Sequence, residues 1–373
     1  MKLAGIGTTA TLAAMTLSLC AAAPVVAAAP AVAAAVARPV VSPKPVTGHF
    51  SKITVPGSAL TEPEDIIDSG LIVGCYERKT GPIRGFVDRR GKFTTVTDPA
   101  AGTSSHAATC PLGVNKAGLI VGYYESSSGV LHGFVDSGGT FTSINAPGAG
   151  RLSAEVTSAV DISNSGVIVG WYIDSKQVEH GFVLKAGKFT TISAPASANS
   201  TSGGTWVDGI ASDGTLAGGY VDAKGVAHGF LYQTGKFTIL NVPNASGTEP
   251  ACISARTGLV VGIYTTRRTR LRQIGFTYRR GVFRPVRDPS AADGTVPQCG
   301  NDSGKVVGFY YDRNSVQHGF AFTPRQVRTG ATGLQSSPTG AAGPQRSQNG
   351  AVGPRSSQTG LSPRWGLARF GRF

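Results

Sequence analysis

The sequence is short of charge, of methionine and of long apolar runs. Charged residues make up 15% of 373, and glycine reaches 51. That balance is unlike an ordinary helical enzyme or a charged disordered chain, and fits a turn-rich all-β protein. Beyond the N-terminal stretch, no apolar run approaches the roughly 20 residues of a membrane-spanning helix. There is no Cys-x-x-Cys pair and no Asp-x-Asp-x-Asp loop, so neither a thiolate zinc site nor a calcium loop is written locally, and no metal or other cofactor is expected. No nucleophile, base and orienting acid can be aligned either.

At the N-terminus, Lys2 precedes a short apolar stretch from Leu3 to Leu19, and Ala-x-Ala cleavage sites end at Ala23 or Ala29. This reads as an export signal over residues 1–29, with a secreted or cell-envelope destination. Cys20 suggests a lipoprotein as the rival, but Leu19 is large where a small residue should precede a lipidated cysteine. Export leaves Cys75, Cys110, Cys252 and Cys299, an even set in an oxidising compartment that allows three disulfide pairings. Cys252 with Cys299 is preferred because the two hold nearly equivalent positions in neighbouring repeats. Cys75 with Cys110 follows by elimination.

The repeat is the dominant signal. Gly-Phe recurs at Gly85, Gly133, Gly181, Gly229, Gly275 and Gly319, at steps of 48, 48, 48, 46 and 44 residues. Gly-x-Tyr keeps the same phase at Gly74, Gly122, Gly170, Gly218, Gly262 and Gly308. Gly-x-Phe begins at Gly48, Gly91, Gly139, Gly187, Gly235 and Gly281, each with a proline eight residues on. Such a period matches propeller blades. The third repeat predicts strands near Thr157 to Ser163, Val167 to Ile173, Val178 to Leu184 and Phe189 to Ser193, with a tight turn at Asn164-Ser165-Gly166. Ile168 and Val169, like Phe93 and Val96, point to opposite faces, so these strands are expected to be buried on both sides. The last repeat lacks its Gly-x-Phe strand, and the copy at Gly48-His49-Phe50 stands orphaned before the first. The predicted fold is therefore an all-β, six-bladed propeller over residues 48–324, closed by the N-terminal strand pairing with the C-terminal hairpin.

With His132-Gly133-Phe134, His180-Gly181-Phe182, His228-Gly229-Phe230 and His318-Gly319-Phe320, the chain resembles the HAF extracellular repeat family. The resemblance covers roughly residues 48 to 324 and departs where Arg84 and Ile274 replace histidine. It implies export and carries no activity with it.

Residues 30–47 form an Ala/Val/Pro-rich segment expected to be an extended linker. Residues 325–373 form a Gly/Ser/Gln/Pro-rich tail that cannot bury a core. The tail has no acidic residue and seven arginines, half of the formal +14. Its aromatic ending resembles that of outer-membrane barrels, but Arg369 and Gly371 break the alternation a barrel strand requires.

The repeated histidines and tyrosines are expected to be structural. Residues that depart from the repeat are better site candidates: Asp65, Asp161 and Asp208 fall near the innermost strands and would line an acidic funnel, with turn bonding as the competing role. Arg267, Arg268, Arg270, Arg272, Arg279, Arg280, Arg284 and Arg287 cluster in the fifth repeat and suggest contact with an anionic surface. The expectation is a secreted, monomeric, non-catalytic binding or scaffold protein attached to an anionic cell-surface polysaccharide or envelope polymer. Nucleic acid is not expected, because export removes the chain from it. The alternative is an extracellular polysaccharide- or ester-acting enzyme with its site in the funnel.

Overall fold

The computed structural model describes residues 39–325, apart from 43, 105–106, 150–155, 198–202 and 268–272. The export signal, most of the linker, the tail beyond Arg325, and Arg268, Arg270 and Arg272 lie outside the described residues. Within them the chain is all β, with twenty-five strands and no helix.

The third repeat shows how the sequence builds one unit. Its strands are Val156–Ile162, Ile168–Ile173, Glu179–Lys185 and Lys188–Ile192, each within a residue or two of the predicted span. They pair as an antiparallel meander. Gly166 takes φ 80° in the first turn, as predicted for a tight hairpin. The third turn is two residues long, and both Ala186 and Gly187 have positive φ, 49° and 76°. That is the primed turn matching the twist of paired strands. The glycine of Gly-x-Phe is its second residue, and the arrangement recurs at Arg90-Gly91, Gly138-Gly139, Thr234-Gly235 and Arg280-Gly281.

A bulge interrupts the first strand of every unit, opposite the Gly-x-Tyr motif. A Cβ on any of these six glycines would overlap the carbonyl oxygen of the strand opposite, Glu62, Cys110, Ser158, Trp206, Glu249 or Val296. Glycine is required here by close backbone approach.

The six Gly-Phe phenylalanines are wholly buried, at 0% exposure. Five contact the Gly-x-Phe ring of their own unit, with centroids 5.0–5.7 Å apart. Phe320 in the sixth unit is served by Phe50 from the chain start, 5.4 Å away. The Gly48–Ile53 strand pairs antiparallel with the last strand over six residue pairs, from Gly48↔Pro324 to Ile53↔Gly319. This is the strand exchange expected from the orphan motif. The two buried tyrosines nearest the start of the array, Tyr76 and Tyr124, bond the fourth strand of their units through Thr95 and Ser143 at 3.1 and 2.8 Å.

Two expectations are amended. The first and second strands are buried on both faces, but the fourth is largely exposed, with only its last apolar residue fully covered in units such as Lys92–Val96. The linker also contributes structure: Val40–Val41 runs parallel to Val282–Phe283, and Val46 N–H donates to Pro285 O at 3.0 Å. The fifth unit's exposed outer edge supplies the unpaired groups that capture it.

Neighbouring units are stitched by a contact absent from the sequence reading. The first-strand threonines Thr61, Thr109, Thr157, Thr205, Thr248 and Thr295 each accept a backbone N–H from the segment leading into their unit, at 2.9–3.2 Å.

Candidate functional site

The residue after each bulge is Asp65, Gly113, Asp161, Gly209, Cys252 and Cys299 in chain order. These positions tie the units in pairs. Asp65 accepts the N–H of Ile66 at 2.7 Å with one oxygen and that of Val114, in the second unit, at 2.8 Å with the other. Asp161 repeats this with Ile162 at 2.7 Å and Ile210, in the fourth unit, at 2.8 Å. The Cys252–Cys299 disulfide joins the fifth and sixth units, with Cα atoms 5.1 Å apart. Cys75–Cys110 adds a second covalent tie between the first and second units. Both pairings are those expected.

The C-terminal ends of all six first strands converge on a cavity of about 60 Å³, whose lining includes Asp65, Asp161, Cys252 and Cys299. Small-molecule sites occupy about 300–1,000 Å³, so this space holds a few waters rather than a sugar. Its mouth is crossed by polar side chains. Arg256 reaches Asp302 at 2.9 Å and Asp68 at 3.2 Å, and Lys116 lies 3.8 Å from Asp68. The cations of these pairs are exposed, and pairs with a partner so open to water contribute little energy individually.

Asp208, by contrast, is the extra residue of the fourth unit's bulge and is not among the residues that line this cavity, although its charge acts on Asp161. The expected trio is thus a pair of backbone-capping aspartates and a third, buried carboxyl apart from them. Arg267, Arg279, Arg280, Arg284 and Arg287 are all exposed.

Burial pushes Asp65 up to about 7, helped by the charge of Asp161, and burial pushes Asp161 up to about 6. An unfolded aspartate titrates near 3.9, so the folded state holds these protons more tightly. Their contribution to stability is full below about pH 4 and is lost as pH rises towards 7. Glu62, raised by burial to about 7, acts in the same sense. The unfolding midpoint is therefore expected to fall between about pH 4 and pH 7 and to level off above that. Thermal scans of the Asp65→Asn/Asp161→Asn variant should show a shallower fall, and an unchanged slope would refute the assignment.

The repeated histidines have structural partners. His180, His228 and His318 bond Asp174, Asp222 and Asp312 at 3.0, 3.0 and 2.9 Å, and each of these aspartates also accepts turn N–H groups. The turn N–H of Val226 and the ring of His228 hold Asp222 below the usual range, and the His318 ring, with the Val316 N–H, holds Asp312 down to about 2. The rings of His132, His180 and His228 also stack on Tyr124, Tyr172 and Tyr220, 5.0–5.2 Å between centroids.

A second group, unforeseen in the sequence, lies towards the N-terminal ends of the first strands. Glu62 is almost completely buried, with the amides of Gln298 and Gln317 facing its carboxyl. Tyr123 is pushed far up by burial and by the charges of Glu62, Glu64 and Glu125. Burial and the charges of Glu62 and Asp293 raise Tyr311 to about 12. Tyr123 occupies the variable position of Gly-x-Tyr, where the other units carry Cys75, Trp171, Gly219, Ile263 and Phe309. That departure was the available signal.

No protein-family model matches the chain, and a search of curated proteins finds no match. Solved structures similar to it include a mutant of the Aleuria aurantia lectin in complex with Fucα1-6GlcNAc, 13% identical, covering 73% of this chain and 98% of that one with a TM-score of 0.43. The AofleA protein of Arthrobotrys oligospora is 12% identical over 76% of this chain and 92% of its own, with a TM-score of 0.45. A gluconolactonase of Xanthomonas campestris is 13% identical over 75% and 97%, with a TM-score of 0.40. At these identities and scores, no activity passes from these proteins to this chain.

Proposed function

We propose that the chain is a secreted, monomeric, non-catalytic binding or scaffold protein of the HAF-repeat type, built as a six-bladed propeller closed by its N-terminal strand. The observation that carries the non-catalytic reading is the use of Asp65 and Asp161: each spends both carboxylate oxygens on backbone N–H groups, one in its own unit and one in the next. An acid/base pair needs an oxygen facing a substrate, and the adjoining space is too small for one. The same fact weighs against an enzyme acting on polysaccharide or ester with these aspartates. Closure is supported by the Gly48–Ile53 pairing and by sixth-to-first-unit contacts, Asn301 Nδ2 to Ile67 O at 3.3 Å and Asp302 N to Asp68 Oδ1 at 3.1 Å.

Attachment to anionic surface polymer is the proposed role of the exposed arginines of the fifth unit together with the arginines of residues 325–373. Opposite charge gives affinity that salt screens, with a Debye length near 8 Å at physiological strength. Binding to an immobilised anionic polysaccharide is expected to weaken at least tenfold when residues 326–373 are deleted, and to vanish near 1 M salt. Retention unchanged by either manipulation would remove the electrostatic account and point to a saturable site on the folded array.

A further inference from the structure

The turns of the array fall into two sets. Within each unit the antiparallel meander makes the first and third strands run the same way. The ends of all six first strands meet at one cavity. The turns that follow the first and third strands therefore share one end of the array, and the turns that follow the second strands stand at the other.

The two ends differ in charge. The third turns carry Arg89, Arg90 and Lys92 in the first unit, Lys185 and Lys188 in the third and Lys236 in the fourth, and the fifth adds Arg279 and Arg280. All of these are exposed, and among the described residues none has an ion-pair partner. The carboxyls nearest to them in the chain, Asp88 and Asp136, are buried and accept the N–H groups of Gly91 and Gly139, each at 2.6 Å. The acids of the first turns, Asp68, Asp213 and Asp302, are engaged by Arg256, Lys116 and Gln233. At the other end the cations come with acids: Lys176 shares its turn with Asp174, Lys224 with Asp222 and Arg313 with Asp312.

The third-turn cations are held against a cost. Arg89 lies directly across from Lys92, and Lys185 from Lys188. Like charges in that arrangement destabilise a strand pair. Arg90 and Arg280 take φ 56° and 49° at the turn position where the second unit has Gly138, a region that strains any residue with a side chain. An anion laid across these turns offsets the repulsion that folding alone leaves in place.

The placement of the charges selects the kind of anion. They belong to four different units, so a small anion meets one turn at a time, whereas a chain with negative charge at every few atoms meets several. The exposed large apolar residues, Val40, Ile239 and Val316, lie outside these turns. A bilayer surface is held by apolar burial together with charge, and this face offers the charge alone.

We propose that the end of the array formed by the third turns is the docking face for an anionic polysaccharide chain, with Lys92, Lys185, Lys188 and Lys236 as contacts beyond the fifth unit. The proposal rests on the electrostatic attachment argued above and fixes which face of the folded array takes part in it.

Surface plasmon resonance of the full chain on immobilised dextran sulfate, with neutral dextran as the blank, tests this by comparing two variants. Lys92→Gln/Lys185→Gln/Lys188→Gln/Lys236→Gln leaves the fifth unit and residues 326–373 untouched. It should weaken binding about tenfold or more at physiological ionic strength, with an unfolding midpoint unchanged or raised because both like-charge pairs are relieved. Lys79→Gln/Lys176→Gln/Lys224→Gln/Arg313→Gln removes as many charges from the opposite end and should weaken binding less than about threefold. If the first variant folds poorly, Lys188→Gln alone should still weaken binding about twofold. Equal weakening by the two variants would overturn the docking face and leave electrostatic attachment standing. Binding of the intact chain that does not fall with salt would remove the attachment itself, and this face with it. Tighter capture by phosphatidylglycerol vesicles than by dextran sulfate would also overturn the proposal, giving the face to a lipid surface.

Discussion

Gly170→Ala is expected to destabilise the protein by about 3 kcal/mol or more, a cost at the upper end of overpacking effects. The added methyl has no free direction, because the Ser158 carbonyl oxygen occupies the place where it would stand, with Phe182 behind it. Relief would require the first strand to move, and that strand is fixed by the bulge and by Asp161 bonding across to Ile210. Thermal unfolding should show a midpoint roughly 6 °C lower or more, taking about 2–4 °C per kcal/mol for chains of this order of size. Gly57→Ala is the control. That residue has φ 76° but no atom within 4 Å of the new methyl, so only the backbone penalty of about 1–2 kcal/mol applies. Equal losses in the two variants would show that conformation, rather than the close approach of strands, makes the Gly-x-Tyr glycine necessary.

Removing residues 39–53 from the chain is expected to have the larger effect. Phe50 packs against both Phe320 and Phe322, with centroids 5.4 and 4.7 Å away. Phe50 is partly buried, so its loss forfeits part of the about 1.5–3 kcal/mol that full burial of such a ring provides, and it uncovers two more. The Gln317–Pro324 strand would also lose its six-residue pairing partner and present an unpaired edge. Such edges recruit other chains. Size-exclusion chromatography should therefore show dimers or larger species, and a dye that reports exposed apolar surface should bind. A synthetic peptide spanning residues 46–56 should return the elution volume to that of the untruncated chain. A truncated chain that keeps the elution volume and the midpoint of the intact one would mean that the exchanged strand does not hold the array together.

Much of this architecture is readable from spacing alone, because it depends on contacts within one repeat. Gly187 in a two-residue turn, Phe182 beneath Phe189 and the strands of the third unit all follow from residues fewer than forty apart. Even the long-range pairing of Gly48–Ile53 was legible, since a missing copy at one end matched an orphan at the other. The threonine stitch escaped because its distance from the preceding proline varies: Pro56 to Thr61 and Pro243 to Thr248 span five residues, while Pro99 to Thr109 and Pro147 to Thr157 span ten. Connecting loops absorb length without moving the strand ends they join, so a fixed contact is hidden by a variable count.

The aspartates show the other limit. Sequence places Asp65, Asp161 and Asp208 alike in first strands, and alternation alone would group them. The bulge inserts one residue, which leaves Asp208 as the extra member and puts Gly209 in line with Asp65 and Asp161. A one-residue shift changes the face to which a strand side chain points.

The sequence by itself determined the repeat, its turns, its strand order and the exchange of the N-terminal strand, because these rest on periodic local choices of glycine, aromatic and apolar residues, whereas it left three disulfide pairings open. Only the tertiary structure decided that two aspartates and one disulfide tie the six units in pairs, and that Glu62, Tyr123 and Gln317 stand together. Those outcomes depend on bulge register and on residues from different units meeting in space, and neither the twist that brings them together nor the burial that shifts their titration leaves a periodic trace in the chain.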